Sequence, residues 1–305
     1  YLNTFALAEC LEGKGEFLDP LMDAIWSFCE ESDWCMPAHT EGLADMEKPH
    51  IDLGASNRGA EMGEILNVFG DALPEAVQKR IRYEVNRRII EPYLTRDFSW
   101  MKRGSNWNAV CNGNVLRAAL YLERDRERLA KIVQRVQNGL TFFLAGFGEN
   151  GGTAEGIGYW NYGFSRYIYA AFLLDWYTEG KLDLFMPPIV KEIAQFPARI
   201  EMSVGKYPAF SDGGESNACP VGMMCLLANK LNLPPLRDFA AARMPEKFDP
   251  GSLAGLFYGF LTVDLPQPDA AAFGWNEFNF LRGVQWMISR NDASNPNSLV
   301  LAAKG

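Results

Sequence analysis

The sequence predicts an all-α fold that ends in a short β-segment, and three observations carry that expectation. Apolar residues recur at helical spacing along most of the chain. Short turns rich in Gly, Pro, Asn and Asp separate these stretches. Strand-like runs are missing until about residue 283, so about ten successive helices must pack as antiparallel neighbours. A bundle, a solenoid or a ring of helical hairpins would satisfy that pattern. A fixed-period repeat is missing, which weakens the solenoid.

Asp19-Pro20 opens the first expected helix, Leu21 to Glu30, with Pro at its first position. An amphipathic stretch follows from Gly59 to Gly70. Pro74 then starts a long helix, Glu75 to Ile90, with Val77, Ile81, Val85 and Ile89 forming an i, i+4 stripe. Further helices are expected at Asn106–Leu122, Glu127–Leu144, Gly163–Tyr177, Pro188–Met202, Gly222–Leu231, Leu236–Ala242 and Ser252–Leu261. Residues 1–275 are read as this helical domain. In residues 276–305 the character changes. Gly283–Arg290 and Ser298–Ala303 read as two strands around the turn Asn291–Asn297. They alternate poorly, as strands buried on both faces do. A lone hairpin is marginal in water, so the segment is expected to begin a β-domain that the sequence does not complete.

The chain has 305 residues, 48% of them hydrophobic, enough for a sizeable core. Its net charge of -9 and pI near 4.9 argue against a nucleic-acid partner, which would select a basic face. An apolar run long enough to span a membrane is missing, so no membrane partner is expected. Cys10, Cys29, Cys35, Cys111, Cys219 and Cys225 form no C-x-x-C pair. They read as free, core-like thiols, with neither zinc-site spacing nor a disulfide framework.

Two segments stand out chemically. Gly104–Gly113 opens a helix with Asn106, Trp107, Asn108 and Asn112, although Asn has poor helix propensity. Either Ser105 or Asn106 caps the helix while Asn108 and Asn112 bond within the core, or the asparagines meet a ligand. Gly151–Gly163 gathers glycines, Glu155, Tyr159, Trp160 and Tyr162 before another helix. Glycines permit close approach of a ligand, and aromatic rings stack on sugar faces while their polar ends bond hydroxyls.

Together these segments resemble the heparinase II/III-type polysaccharide lyases. The resemblance includes Asn106–Gly113 and Glu155–Gly163, and extends to Trp34–His39, Ile51–Leu53, Glu91–Leu94 and Phe210–Gly213. It implies an incomplete (α/α) toroid, a form common among carbohydrate-active enzymes, followed by an antiparallel β-sandwich. It also implies cleavage of a uronic-acid polysaccharide by β-elimination. That reaction needs a neutralised carboxylate, a base for the proton beside it, and an acid for the departing oxygen.

By resemblance, Asn106 neutralises the carboxylate, and Tyr159 or its rival Tyr162 is the catalytic tyrosine. Trp107, Trp160, Asn112 and Glu155 are expected to meet substrate, Glu155 alternatively capping a helix. His39 reaches the cleft or sits in a solvated turn, and Arg58 pairs with a substrate carboxylate or lies on the surface. Two departures matter: Trp107 stands where some relatives have histidine, and the sandwich's catalytic or metal-binding histidine is absent. The chain as given is therefore expected to lack lyase activity, which the following β-domain would restore. Neither cofactor nor metal is expected within the chain, although the sandwich can hold a structural metal. The expected partner is an acidic polysaccharide or oligosaccharide. The resemblance favours a periplasmic or secreted location over the cytoplasm. Two rivals remain. One is a toroidal glycoside hydrolase using carboxylates such as Glu155, Asp212 and Glu215. The other is a non-catalytic sugar-binding domain.

Overall fold

The computed structural model describes residues 1–40, 42–244, 247, 249–260 and 274–305. Helices α1 (Leu2–Glu12) and α2 (Leu18–Glu30) lead to α3 (Leu53–Phe69), α4 (Glu75–Val85) and α5 (Glu91–Thr95). Then come α6 (Asn106–Leu122), α7 (Arg126–Ala145) and α8 (Gly156–Tyr177). Shorter helices follow: α9 (Pro188–Ala194), α10 (Phe196–Ile200), α11 (Val221–Lys230), α12 (Pro234–Ala241) and α13 (Leu253–Phe260). Strands β1 (Phe278–Leu281), β2 (Trp286–Arg290) and β3 (Val300–Lys304) close the chain. The protein is thus mostly helical, with a small antiparallel sheet at its C-terminal end.

Proline explains two departures from the expected helices. The helix expected from Glu75 to Ile90 passes into a π-turn at Asn86–Ile90 before α5, which has Pro92 near its start. Pro92 has no N–H for the carbonyl four residues back, and the wider turn absorbs the break. Pro197 likewise splits the expected Pro188–Met202 helix into α9 and α10. It leaves the Ile193 carbonyl without a helical donor, and the Trp160 indole N–H takes that place at 3.0 Å. Helix α8 starts seven residues earlier than expected, at Gly156, so much of the glycine-rich segment is helical. Helix α1 was not expected at all. Leu261, the expected end of α13, lies outside the described residues.

Helices α3, α6 and α8 run parallel, side by side. Along α3 and α6, Ser56 meets Asn114 and Glu64 meets Arg117. Along α6 and α8, Asn106 lies against Gly163 and Gly113 against the Arg166 carbonyl, so residue numbers rise together on both helices. A Cβ on Gly113 would stand 2.9 Å from that carbonyl oxygen. Glycine therefore sets how closely α6 and α8 approach. Helices α4 and α7 return antiparallel behind α3 and α6. Gly59 of α3 faces Ile89 beyond α4, and the Asn108 side chain of α6 donates to the Gly139 carbonyl of α7.

The sheet corrects the hairpin expectation. It has three strands in the order β1-β2-β3, and β1 was missed. A single face is buried. Leu281, Trp286 and Ile288 join the same apolar core as the helices, while Phe278, Phe280 and Leu301 point outward. The buried face packs through Trp286 against Phe196 and Phe210. So the strands do alternate, and their partner is the helical part of this chain.

Buried ions fix that junction. Glu201, fully buried, accepts from Arg243 Nε at 2.8 and 3.0 Å, from Trp275 Nε1 at 2.7 Å and from the Tyr207 hydroxyl at 3.2 Å. Arg290 of β2 donates to the Glu201 and Met202 carbonyls and stacks over the Trp275 ring. Removing one partner of a buried ion pair strands the other. Glu201→Ala is expected to cost about 3–5 kcal/mol in urea unfolding. A loss under about 1 kcal/mol, typical of a surface pair, would show that this cluster does not hold the sheet.

Candidate functional site

The N-terminal ends of α3, α6 and α8 carry most of the polar residues that the sequence singled out. Asp52 is the N-cap of α3 and is fully buried. Its Oδ1 accepts from the Ala55 N–H at 2.7 Å, and its Oδ2 from the Met36 N–H at 2.9 Å. The same Oδ2 lies 2.7 Å from His39 Nδ1. A carboxylate only accepts, so Nδ1 carries the hydrogen and Nε2 is left to accept or release a proton.

His39 ends a short 3-10 turn that starts at Pro37. Its ring packs on Trp107, the second residue of α6, with centroids 4.5 Å apart. It also lines a cavity of about 240 Å³ shared with Trp34, Asp45, His50, Arg87 and Arg88. His50 packs edge-on against Phe98, and burial lowers its pKa, so it favours the neutral form.

Tyr162 and Tyr159 lie on the exposed side of α8, both partly open to solvent. Burial pushes the Tyr162 hydroxyl above the ordinary tyrosine value. The nearby Arg166 guanidinium pulls it back, and Cys111 and Asp52 add to the rise. Arg166 follows Tyr162 by one helical turn, about 6 Å deeper along the axis.

Asn106 is engaged by a carboxylate of this chain. It is buried, its Nδ2 donates to Glu155 Oε1 at 2.7 Å, and its backbone N–H donates to Glu155 Oε2 at 3.2 Å. Glu155, which immediately precedes α8, therefore caps α6 and staples the starts of α6 and α8 together. The buried Asn106 Oδ1 has no partner among the described residues.

Three expected contact residues serve the fold instead. Trp160 is buried among Phe164 and Phe196, its indole spent on Ile193. Asn112 is fully buried, accepting from the Tyr93 hydroxyl at 2.6 Å and donating to Asn108 at 2.9 Å. Arg58 pairs with Glu31 and lies over the Phe28 ring, in a surface ion pair.

The structure thus joins His39 to Asp52 and Trp107, and Asn106 to Glu155, and sets Tyr162 within electrostatic reach of Asp52, while Trp160, Asn112 and Arg58 are engaged by other parts of the fold. Sequence reasoning assigned no role to Asp52 or Arg166. The Tyr162, Arg166 and Tyr169 spacing, a polar stripe at helical period on a mostly apolar helix, was the available signal. Among the described residues, no group of three His, Cys, Asp or Glu side chains is arranged to hold a metal. No helix among them is long and apolar enough to cross a membrane. No known protein family matches the chain, and no curated protein matches it significantly.

The Tyr162 hydroxyl should keep its proton beyond pH of about 10, where free tyrosine is half ionised. Ultraviolet titration of the native chain against Tyr162→Phe isolates that step. A midpoint at or below the free value would mean that Arg166 outweighs burial.

Proposed function

We propose that this chain is the helical domain of a polysaccharide lyase that cleaves a uronic-acid polymer by β-elimination. The observation that carries the reading is the Asp52–His39 pair held against Trp107, close to a half-buried tyrosine. Parallel α3, α6 and α8, backed by antiparallel α4 and α7, fit the inner and outer layers of an incomplete (α/α) toroid.

In this reading Trp107 offers a flat aromatic face to a sugar ring. His39 Nε2 takes the proton beside the carboxylate, and Asp52 holds the ring in the tautomer that allows it. The freed electron pair forms the carbon–carbon double bond as the glycosidic C–O bond breaks. Tyr162 gives its proton to the departing oxygen. Its raised pKa keeps the hydroxyl protonated at neutral pH, so it holds a proton to give and does not serve as the base. Tyr159, more exposed, is the outer neighbour of this acid. An imidazole held within the helical part supplies a base without a histidine from a following domain.

The hydrolase alternative would ask Glu155 to donate a proton. As it stands, both Glu155 oxygens accept hydrogen bonds from Asn106, which commits the side chain to capping α6.

Incubation with alginate, heparan sulfate and other uronate polymers tests the reading. The expected outcome is ultraviolet absorbance from a conjugated unsaturated product, falling about 10²–10⁴-fold in His39→Ala and in Tyr162→Phe. New reducing ends without that absorbance would replace the lyase by a hydrolase. Sugar binding with neither product would leave a binding domain.

A further inference from the structure

The buried arginines of the helical core are not partnered alike. The buried arginines Arg88, Arg117 and Arg243 each meet a carboxylate, those of Glu84, Glu64 and Glu201. Arg290 spends its guanidinium on backbone carbonyls. Arg166 has neither arrangement. Its one hydrogen bond is a long contact of 3.5 Å from Nη2 to Asn57 Oδ1, and its buried Nε has no partner among the described residues.

The neighbours of Arg166 make this costlier. Burial opposes its charge most, and the Arg117 guanidinium, already committed to Glu64, lies close enough to oppose it further. Glu61, Tyr162 and Tyr258 favour the charge. The Glu61 Oε1, however, already accepts from Asn3 and Asn57 at 2.8 Å each, and Glu61 forms no ion pair with Arg166. A guanidinium cannot shed its charge in a protein, so a poorly compensated one persists only where something else justifies it. One turn above it stands Tyr162.

The N-terminal ends of α3 and α6 offer little to an anion, because Asp52 and Glu155 already cap them. Asn106, which the family resemblance nominates for the carboxylate, is held by Glu155. We propose that Arg166 is the anion-recognising residue of this site and binds the carboxylate of an acidic sugar entering past Tyr162. This rests on the lyase reading for the sugar, but not for the charge. The guanidinium fork matches a carboxylate with two parallel hydrogen bonds, and Asn57 beside it can bond the neighbouring hydroxyl.

The test uses the intact chain and an oligoglucuronate trisaccharide beside its uncharged methyl ester, with binding followed by calorimetry. The native chain should prefer the acid by about ten- to a hundred-fold, the range of a charge-assisted hydrogen bond. Arg166→Gln should abolish the preference, and Arg166→Lys should keep part of it. Equal binding of acid and ester by the native chain, binding of neither, or a preference that survives Arg166→Gln would each overturn the proposal.

Thermal unfolding guards against misfolding. Removal of a poorly compensated charge should leave the midpoint of Arg166→Gln and Arg166→Met at or above the native value. A marked fall in both would make Arg166 a structural residue and overturn the proposal. The two readings fail separately. Acid-selective binding lost in Arg166→Gln without any unsaturated product keeps the anion site and removes the lyase. Product formation with undiminished acid selectivity in Arg166→Gln keeps the lyase and removes the anion site.

Discussion

Helix α6 is buried along almost its whole length, yet it carries Asn108, Asn112, Asn114 and Arg117. A buried amide left without a partner costs about 1–3 kcal/mol, so the helices around α6 are held to positions that satisfy these groups. Asn108 gives both amide hydrogens away, to the Met101 and Gly139 carbonyls, and accepts from Asn112. Asn112 in turn accepts from Tyr93 of α5. Asn114 bonds Ser56 and Arg117, and Arg117 reaches Glu64 while stacking on Tyr169. Apolar packing alone would tolerate a slipped helix. This chain of bonds does not, because each slip leaves an amide or a guanidinium unpaired. It therefore sets the register of α3, α7 and α8 on α6, and with it the places of Asp52, Gly163 and Tyr162.

The same constraint explains why the site gathers at one end. With α3, α6 and α8 parallel, their free N–H groups fall together, and each end needs an acceptor. Asp52 and Glu155 supply it for α3 and α6, and each carboxylate does a second task. Asp52 orients His39, and Glu155 fixes Asn106. What looks like an accumulation of catalytic carboxylates and amides is in part the cost of ending buried helices side by side. At the far junction Glu201 plays a comparable part, tying Arg243, Trp275 and the strand residue Arg290 into one cluster.

The helical character was legible because period and punctuation agree. Asn106–Leu122 was read with its observed ends, since a polar start and an acidic stop flank a stretch free of proline and of turn clusters. The breaks at Pro92 and Pro197 were less legible, because proline inside an apolar stripe competes with the stripe and only packing decides. Strand β1 was missed. Its four residues give alternation little length, and its pairing with β2 is a tertiary fact. In the site, Trp107, His39 and Tyr162 were nominated from sequence, and the structure packs His39 on Trp107 and sets Tyr162 within electrostatic reach of the Asp52 that holds His39. Trp160 and Asn112 were nominated on the same grounds and went into the core. Aromatic and amide side chains satisfy a buried carbonyl as readily as a ligand, and sequence does not say which neighbour arrives. Arg166 escaped notice for the converse reason: the missing carboxylate that makes it conspicuous is visible only in three dimensions.

If the ligand is a uronate polymer, the chain's net charge of -9 works against its approach. The Debye length is about 8 Å at physiological ionic strength, so exposed carboxylates repel the polymer weakly beyond that distance. A partly buried guanidinium is screened far less, and its pull acts only once the sugar has entered. Long-range steering and local recognition then have opposite signs. Added salt relieves the repulsion during approach while leaving most of the inner ion pair intact, so association would quicken with salt before affinity falls. A protein that relied on a basic surface would behave the other way, losing association rate from the first increment of salt. The acidic surface thus favours ligands with a uronate that fits past Tyr162 over polyanions in general, because charge alone brings none of them in.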